Sequence, residues 1–319
     1  MIFINDKIKI ATFGGTHEKE VGVMIEGFPI DFEVDFDDVQ TMLDRRRPGS
    51  SEIVSQRNED DIPNVTSGIV NGKTNGDIIR VVFENKDVKN LEDDKDYVPR
   101  PGHGDFTYFK NTGKFLKGAT SARSTVGLVF AGSLAKQYLA KRGIFVNAKM
   151  LGPSEEEIKE VMKDGDSIGG LVECNIIGLE AGFGNPYGAK LESVISSCVF
   201  NIPGIKGLEF GSGFESLKYK GSEFNDAFIA ENGKVRTETN NCGGILGGMA
   251  TGSPVVFRTA FKPAASIKKA QKSVNLMTLE PATVVSETRN DPCIAIRGTA
   301  VVEAAAAIAI LDICLSTDY

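Results

Sequence analysis

The chain of 319 residues is 41% hydrophobic and 25% charged, a composition typical of a soluble globular protein with a substantial core. Its formal net charge of −7 argues against nonspecific binding to nucleic acid or to an anionic membrane, because both need a basic surface. The five cysteines include no CxxC pair and the N-terminus has no signal-peptide pattern, which indicates reduced thiols in a cytoplasmic protein.

The first half of the chain contains three clear structural patterns. Residues 35–47 predict an amphipathic helix with Asp35 as its N-cap. Residues 64–85 predict two strands joined by a Gly/Asn turn. Within them, "GIVNGKT" has one residue too few between its glycines for a phosphate loop, so it predicts a hairpin turn. Residues 121–143 predict a long helix that is apolar on most faces and therefore buried.

The second half alternates helices and strands without the regular rhythm of a βαβ protein. The predicted elements are a helix at 153–165, a strand at 169–182, a helix at 190–200, and strands at 205–210 and 253–263. The apolar segment 298–315 carries Glu303 and Asp312 and is shorter than the roughly 20 residues of a membrane span, which favours a buried terminal helix. No linker or repeat interrupts the chain, so we expect a single α+β layered domain over residues 1–319.

Both histidines of the chain lie in glycine-rich loops, His17 in "TFGGTH" and His103 in "RPGHGD". Histidine exchanges protons near neutral pH, so these two residues are candidate general acids or bases. A histidine in such a loop is more often a plain turn or surface residue. The pattern by itself leaves both interpretations open.

Several arginines stand in short Gly/Pro-punctuated or helix-start segments, namely the "LDRRRPG" run, Arg57, Arg100, Arg123 and Arg289. Guanidinium groups bind carboxylates and phosphates through two nitrogens, so converging arginines would form a polyanion site, whereas scattered ones would be solvated surface charges. Arg123 differs from the others because it lies in the first turn of the predicted apolar helix. A cation there opposes the helix dipole, so we expect Arg123 to have an anionic partner elsewhere.

Residues 243–252 include five glycines. They predict either a turn or a backbone without side chains that a flat ligand can approach closely. In the second case, Lys262 would bind a phosphate of that ligand. The chain has no GxGxxG, HExxH, EF-hand or GxSxG pattern. A Rossmann dinucleotide site, a protein-held metal and an α/β-hydrolase therefore have no support.

Taken in order, the strings "TFGGTH", "LDRRRPGSS", "RPGHGDFTY", "SARSTVGL", "CGGILGGMATG", "FKPAASI" and "RNDPCIAIRG" resemble the chorismate synthase family over nearly the whole length. The resemblance implies buried helices sandwiched between antiparallel β-sheets. It implies 1,4-elimination of phosphate from 5-enolpyruvylshikimate 3-phosphate to give chorismate, the last common step of aromatic amino acid biosynthesis. It also implies reduced FMN as cofactor without net redox change, NADPH in members that reduce their own flavin, and a cytoplasmic homotetramer.

The family's functional residues carry over onto this chain motif by motif. The resemblance implies that His17 protonates the departing phosphate, that His103 supports the reduced flavin as a proton donor, and that Asp291 takes the proton from flavin N5. The implied substrate-binding residues are Thr16, Arg46, Arg57, Arg100, Arg123 and Arg289. The implied flavin-binding residues are Arg46, Ala119, Thr120, Ser121, Pro203, Gly204, Gly247, Lys262, Pro263, Ala264, Ala265, Ser266 and Arg289.

The sequence departs from the family pattern at several of these motifs. Glu18 brings a negative charge beside His17, Ala119 lacks the cation of the usual arginine, and Ala264 and Ala265 lack the usual hydroxyls. These losses predict weaker flavin binding and raise an alternative, a noncatalytic paralogue that binds flavin or shikimate-type phosphates in a regulatory role. Because the three proton carriers and the main arginines are present, we expect a working carbon–oxygen lyase.

Overall fold

The computed structural model describes residues 2–4, 6–16, 18–49, 52–55, 59–86, 97–115, 122–231, 233–286 and 291–316. The helices are α1 (Phe36–Arg46), α2 (Asp105–Thr112), α3 (Thr125–Ala140), α4 (Glu155–Lys163), α5 (Leu191–Phe200), α6 (Gly221–Phe224) and α7 (Ala295–Ser316). The strands are β1 (Ile2–Ile4), β2 (Lys9–Gly14), β3 (Glu20–Glu26), β4 (Asn64–Ser67), β5 (Ile69–Val70), β6 (Lys73–Thr74), β7 (Ile79–Glu84), β8 (Phe145–Gly152), β9 (Gly170–Ile177), β10 (Ile205–Phe210), β11 (Phe228–Glu231), β12 (Lys234–Thr237), β13 (Ile245–Leu246), β14 (Met249–Ala250), β15 (Val255–Phe261), β16 (Gln271–Val274) and β17 (Pro281–Val284). Short 3₁₀ turns lie at Ala122–Ser124 and Gly213–Lys218.

Two antiparallel sheets form the outer layers of the fold. The first sheet has the strand order β1-β2-β3-β7-β4, and the second has the order β10-β15-β9-β8. Between them α3 packs on β2 and β3, α7 packs on β8 and β9, and these two helices pack on each other. Helices α1 and α5 extend the helical layer, α1 against α3 and α7, and α5 against α7 and β10. The predicted α+β class, with buried helices between antiparallel sheets, is confirmed.

The central helices approach each other closely at Gly132 of α3 and Ala304 of α7. A Cβ atom on Gly132 would overlap the Cα and Cβ atoms of Ala304, so this crossing requires glycine. By length and composition α7 could span a membrane, but 89% of its most apolar window is buried inside the fold. This burial confirms the predicted terminal core helix.

The two acidic residues of α7 have partners inside the fold. Glu303 is 1% exposed, accepts hydrogen bonds from two nitrogens of Arg45 at 2.9 Å each, and also binds Lys136. Asp312 accepts a hydrogen bond from the backbone nitrogen of Ile8 at 2.9 Å. A buried carboxylate is stable only when it is paired in this way, so both residues join α7 to neighbouring layers.

Most predicted elements occur in the structure with shifted ends. Helix α3 begins at Thr125 rather than at residue 121, because a 3₁₀ turn precedes it. The segment 64–85 contains four strands rather than two, since the short hairpin of β5 and β6 interrupts it. The turn residues of that hairpin, Asn71 and Gly72, have φ values of 49° and 77°, as a tight hairpin turn requires. The string that resembles a phosphate loop is therefore the predicted turn.

Candidate active site

The segment before α2 forms a compact charged cluster. Arg100 donates to both carboxylate oxygens of Asp105, from Nε at 2.8 Å and from Nη2 at 2.9 Å, and its backbone nitrogen donates at 3.1 Å. Nδ1 of His103 lies 2.7 Å from Oδ1 of the same carboxylate. Asp105 is the first residue of α2, where the helix dipole also favours a negative charge. The structure thus brings together Arg100 and His103, both predicted site residues, around a residue that the sequence did not indicate.

Asp105 is 3% exposed but remains ionised. Burial opposes ionisation, yet the hydrogen bonds from His103 and Arg100 outweigh it and hold the pKa of this carboxyl well below its usual range. An ionised carboxylate only accepts hydrogen bonds, so the proton between the two groups lies on Nδ1 of His103. Asp105 therefore selects the Nδ1-protonated tautomer whenever the imidazole ring is neutral.

This cluster is joined to the segment after β15, which carries the predicted flavin-binding residues Lys262 to Ser266. Nη1 of Arg100 donates to Oγ of Ser266 at 3.1 Å, and Nζ of Lys262 donates to the backbone oxygen of Gly102. The backbone nitrogen of Lys262 donates to the backbone oxygen of Gly204 at 2.9 Å. Three predicted site loops, far apart in sequence, therefore meet at one place within a single chain.

The altered residues of this segment keep a fixed backbone. Oγ of Ser167 donates to the backbone oxygen of Ala264 at 2.7 Å, and Nε2 of Gln271 donates to that of Ala265 at 3.2 Å. A Cβ atom placed on Gly102 would lie 3.7 Å from Cβ of Ala265, so Ala265 faces the histidine loop. The backbone oxygens of both alanines are thus held by side chains from outside the segment.

Lys262 and Lys206 place two ammonium groups near each other. Burial lowers the pKa of Lys262, and the charge of Lys206 lowers it further. In the described part of the chain, no carboxylate lies within the 4.0 Å ion-pair distance of either group. Two cations without a counter-charge favour the binding of an anion here.

A small cleft lies beside these loops. Its lining residues include Arg46, Pro203, Phe261, Asp291 and Arg297. Asp291 is 9% exposed and accepts hydrogen bonds from the backbone nitrogen of Ser55 at 2.8 Å and from Arg297 at 2.7 Å. The lining residues Pro203 and Phe261 come directly before Gly204 and Lys262, which are hydrogen-bonded to each other. Lys262 also binds the histidine loop at Gly102, so the cleft and the histidine cluster are contiguous.

A buried ion cluster lies behind the cleft. Asp61 accepts a hydrogen bond from Arg46 at 2.7 Å and another from Arg123. Burial lowers the pKa of Arg46 to about 9, so the guanidinium is still charged at neutral pH. Burial alone would raise the pKa of Asp61, but the charges of Arg46 and Arg123 outweigh it and the pKa is lowered. The anionic partner predicted for Arg123 is therefore Asp61.

Arg46 and Arg123 are only 1% and 4% exposed. Each guanidinium nitrogen of Arg46 donates to a protein acceptor, with Oγ1 of Thr125 at 3.2 Å and the backbone oxygen of Ala122 at 2.9 Å beside Asp61. The two arginines hold the wall of the cleft, and carboxylates face both of them, Asp61 between the two and Glu59 at 3.9 Å from Nη2 of Arg123. Their direct contact with a ligand stays a prediction.

Asn85 connects the first glycine-rich loop to this ion cluster. Its Nδ2 donates to the backbone oxygens of Gly15 at 3.1 Å and Glu18 at 2.8 Å, while its Oδ1 accepts from Nε of Arg123 at 2.8 Å. Thr16, a predicted substrate-binding residue, lies in this loop. The loop is therefore anchored at the ion cluster behind the cleft.

Some predicted site residues cannot be placed. His17, Arg57, Ala119, Thr120, Ser121 and Arg289 lie outside the described residues. Gly247 forms the turn between β13 and β14 together with Gly248, with φ values of 61° and 88°, as the turn interpretation predicts. A Cβ on Gly248 would overlap Lys190, and the nearest side chain to Gly247 is Met249. These contacts do not join Gly247 to the other flavin residues, so its ligand role stays a prediction.

The sequence analysis missed several residues that organise the site. Asp105 follows His103 by two residues, so the string "HGD" carried a usable signal. Arg297 lies in the first turn of apolar α7, where the argument used for Arg123 also predicts an anionic partner, and Asp291 is that partner. Nothing local in the sequence indicates Asp61, because it meets both arginines only through tertiary contacts.

Comparisons with known proteins show the family and the fold of this chain. The chorismate synthase family model matches residues 8–152 and 147–315. The chain is 38% identical to the chorismate synthase of Methanosarcina barkeri over 348 residues, covering 98% of this chain and 95% of that protein. It is also 38% identical to the chorismate synthase of Thermococcus kodakarensis, covering 96% of this chain and 95% of that protein.

A crystal structure of chorismate synthase superimposes with a TM-score of 0.76 at 22% identity, covering 98% of this chain and 93% of that one, which shows a shared fold. The family model and both relatives match this chain over nearly its whole length. The chain belongs to the chorismate synthase family.

Proposed function

We propose that this protein is a chorismate synthase, a carbon–oxygen lyase that eliminates phosphate from 5-enolpyruvylshikimate 3-phosphate to form chorismate. The observation that carries the proposal is the junction between the loop of Arg100 and His103 and the segment Lys262–Ser266. It sets a proton carrier beside fixed cations, as a reaction on a substrate with two carboxylates and a phosphate needs. Family membership supports the same reaction.

The donor set of these loops fits a phosphorylated flavin. Lys262 and Lys206 supply uncompensated positive charge for a phosphate, and Ser266 and the backbone of the segment supply polar groups of fixed position. When bound, reduced FMN would supply electron density transiently, without net oxidation. The residues that would hold it are those predicted above, with Lys262 as the main anchor among the described residues. NADPH would take part only if the chain reduces its own flavin.

His103 and Asp291 have defined proton-handling roles in this proposal. Asp105 keeps a proton at Nδ1 of His103 and fixes the ring plane, so proton exchange falls to Nε2, where the imidazolium donates and the neutral ring accepts. Each oxygen of Asp291 accepts one hydrogen bond, from Ser55 or from Arg297, and retains a lone pair for a transferred proton. His17 would protonate the departing phosphate.

The cleft also has the electrostatics for a polyanionic substrate. Arg100 would present its guanidinium to the substrate, while Arg46 and Arg123, paired with the buried carboxylates of Asp61 and Glu59, would hold the wall in place. Arg57 and Arg289 complete the proposed substrate-binding set. The remaining parts of the proposal are a single domain, a cytoplasmic location and a homotetramer.

Anaerobic turnover tests the proposal. The purified protein is mixed with 5-enolpyruvylshikimate 3-phosphate and chemically reduced FMN, and chorismate and phosphate are quantified while flavin absorbance is followed. We expect stoichiometric chorismate and phosphate with no net flavin oxidation. Oxidised FMN and the variant His103→Ala serve as controls, and the variant should be slowed by roughly 10²–10⁴.

The same assay decides about the noncatalytic alternative. If saturating reduced FMN gives no chorismate while calorimetry still detects substrate binding, the protein is a binding paralogue and the proposed reaction is wrong. Against that alternative, Arg100, His103 and Asp291 are all held in ordered contacts.

A further inference from the structure

Arg297 carries a positive charge in the first turn of α7, where the helix dipole opposes it. Its side chain is only 13% exposed. Moving a guanidinium group from water into such a position is unfavourable unless acceptors of the fold bind it. The helix that carries Arg297 gains nothing from the charge, so the reason for its position lies in the groups that it binds.

Two acceptors from distant segments hold this guanidinium. Nε of Arg297 donates to the backbone oxygen of Arg46 at 2.6 Å, and Nη1 donates to Oδ2 of Asp291 at 2.7 Å. Arg46 is the last residue of α1, and carbonyls at a helix C-terminus have no partner within the helix. The negative end of the helix dipole also favours a cation at this place. Arg297 is therefore fixed on one side by the end of α1, and its other side binds Asp291.

Asp291 receives one hydrogen bond on each carboxylate oxygen. The backbone nitrogen of Ser55 donates to Oδ1 at 2.8 Å, and Arg297 donates to Oδ2. Two bonds from separate segments, one to each oxygen, fix the rotation of the carboxylate, as a proton acceptor needs. Of the two donors only Arg297 is charged. Without it a single backbone N–H would remain, and the carboxylate could turn about that bond.

No second cation among the described residues can replace Arg297. Arg46 lines the same cleft, but its three guanidinium nitrogens donate to Thr125, Asp61 and the backbone oxygen of Ala122. Within the part of the chain that the structure describes, Arg297 is the one side chain that forms an ion pair with Asp291. The orientation of this carboxylate thus depends on a single residue.

We propose that Arg297 is a positioning residue for proton transfer, which fixes the carboxylate of Asp291 at the cleft by bracing it against the end of α1. The inference rests on the proposed function, in which Asp291 accepts a proton. It assigns no contact between Arg297 and the substrate or the flavin. Arg297 should therefore influence turnover only while residue 291 is a carboxylate.

A double-mutant cycle in the anaerobic turnover assay tests this role on the full chain. Arg297→Ala should lower kcat roughly 100-fold, the loss expected when a reacting group is misplaced by about 1 Å. KM for the substrate should stay within about twofold of the wild-type value, because no ligand contact is lost. In the Asp291→Asn background the same change should alter kcat by less than about twofold, since two residues that act as one unit are not additive.

Added guanidinium chloride gives a second test of the mechanism. A guanidinium ion can enter the space that Arg297→Ala vacates and bind the carboxylate of Asp291 again. We expect low concentrations of this salt to restore part of the lost kcat in Arg297→Ala. The same addition should restore nothing in the double variant Arg297→Ala with Asp291→Asn, where the carboxylate is missing.

Arg45→Ala is the matched control. Arg45 also joins α1 to α7, but its partner is Glu303 rather than Asp291. Without Arg45, Glu303 keeps its contacts with Lys136 and with the backbone nitrogen of Ala148. We expect wild-type turnover from Arg45→Ala. This control separates the loss of support for Asp291 from the loss of a link between the two helices.

Hydrogen exchange measured by NMR adds a readout that needs no turnover. The bond to Asp291 protects the backbone N–H of Ser55 from exchange with water. In Arg297→Ala this N–H should exchange at least about tenfold faster, because its acceptor is no longer held. Its exchange should be unchanged in Arg45→Ala.

The outcomes distinguish this inference from the proposed function. An inactive wild type overturns the proposed reaction and, with it, the role of Arg297. In an active wild type, three results each overturn the role of Arg297 alone: losses in the two single variants that multiply in the double variant, an equal effect of Arg45→Ala, or unchanged exchange at Ser55.

Circular dichroism checks that each variant is folded. If Arg297→Ala does not fold, Arg297→Lys takes its place, because lysine keeps the charge but lacks the planar fork that binds both acceptors. Its smaller loss of kcat should likewise vanish in the Asp291→Asn background, and a loss that persists there overturns the role.

Discussion

Asp105 holds His103 and Arg100 at the same time, with Nδ1 of the histidine at 2.7 Å from one carboxylate oxygen and the guanidinium bound through two nitrogens. Hydrogen bonds from His103 and Arg100 hold the pKa of this carboxyl well below its usual range, so it accepts hydrogen bonds as a carboxylate at neutral pH. One buried acidic residue thus sets the ring orientation of the proposed proton donor and the position of a proposed substrate-binding cation. Both effects can be measured separately.

Replacement of Asp105 by asparagine is expected to let the neutral ring of His103 populate both tautomers. An amide presents either an oxygen or an NH₂ group to the ring, so the Nδ1-protonated form should lose its dominance. The chain has only two histidines, so ¹⁵N-histidine NMR gives two ring spin systems, and His17→Ala assigns them. Loss of a charged hydrogen bond worth about 1.5–3 kcal/mol should slow turnover roughly 10- to 150-fold. An unchanged ¹⁵N pattern would show that Asp105 does not set the tautomer.

Asp291→Asn should leave flavin bound but reduce turnover by roughly 10²–10⁴, because the amide no longer accepts a proton. Flavin affinity is measured by fluorescence titration and turnover by stopped-flow under anaerobic conditions. The exposed Asp164→Asn is the matched control and should change neither quantity. Turnover equal to that of the wild type would remove Asp291 from the proton relay.

The double change Ala264→Thr with Ala265→Ser should tighten FMN binding. The backbone of both residues is already held by Ser167 and Gln271, so the new hydroxyls enter a fixed frame. Two hydrogen bonds of about 1 kcal/mol each would raise the affinity roughly 30-fold. Fluorescence titration measures it, with Ala140→Ser at the exposed end of α3 as control. No gain would mean that the segment compensates for the missing hydroxyls in another way.

Asp61→Asn tests the buried ion cluster through stability. The folded-state pKa of Asp61 is lowered, so its contribution is fully present above the unfolded pKa near 3.9 and is lost as pH falls through the folded value. Removing one partner of a buried pair costs about 3–5 kcal/mol. Asparagine tolerates the positive φ of 53° at this position, so the backbone is not a confounding factor.

Urea unfolding of this variant and the wild type is compared at pH 7 and at pH 3. The difference in free energy of unfolding should be large at pH 7 and should narrow at pH 3, where the wild-type pair weakens as well. Asp60→Asn is the control, because Asp60 is an exposed carboxylate that pairs with Lys86. A difference that does not change with pH would contradict the assigned ionisation.

Local patterns were sufficient for much of the fold. Helices α1 and α5 and strands β9 and β15 follow from hydrophobic spacing and capping residues, which depend on near neighbours in sequence. The two-residue strands β5, β6, β13 and β14 are too short for periodicity to indicate, and turn chemistry alone marks them. The order of strands within each sheet depends on contacts between distant segments, so the sequence pattern did not reveal it.

The sequence by itself determined which chemical groups the site contains: two histidines in glycine-rich loops, a set of arginines, and Asp291 at the start of a core helix. Only the tertiary structure decided how the charges are shared. Asp61 pairs with Arg46 and Arg123 from 15 and 62 residues away and Glu59 lies 3.9 Å from Arg123, while Arg100 pairs with Asp105 and Ser266. The physical reason is that the strength of an ion pair depends on separation in space and on burial, and neither quantity is written in the local sequence.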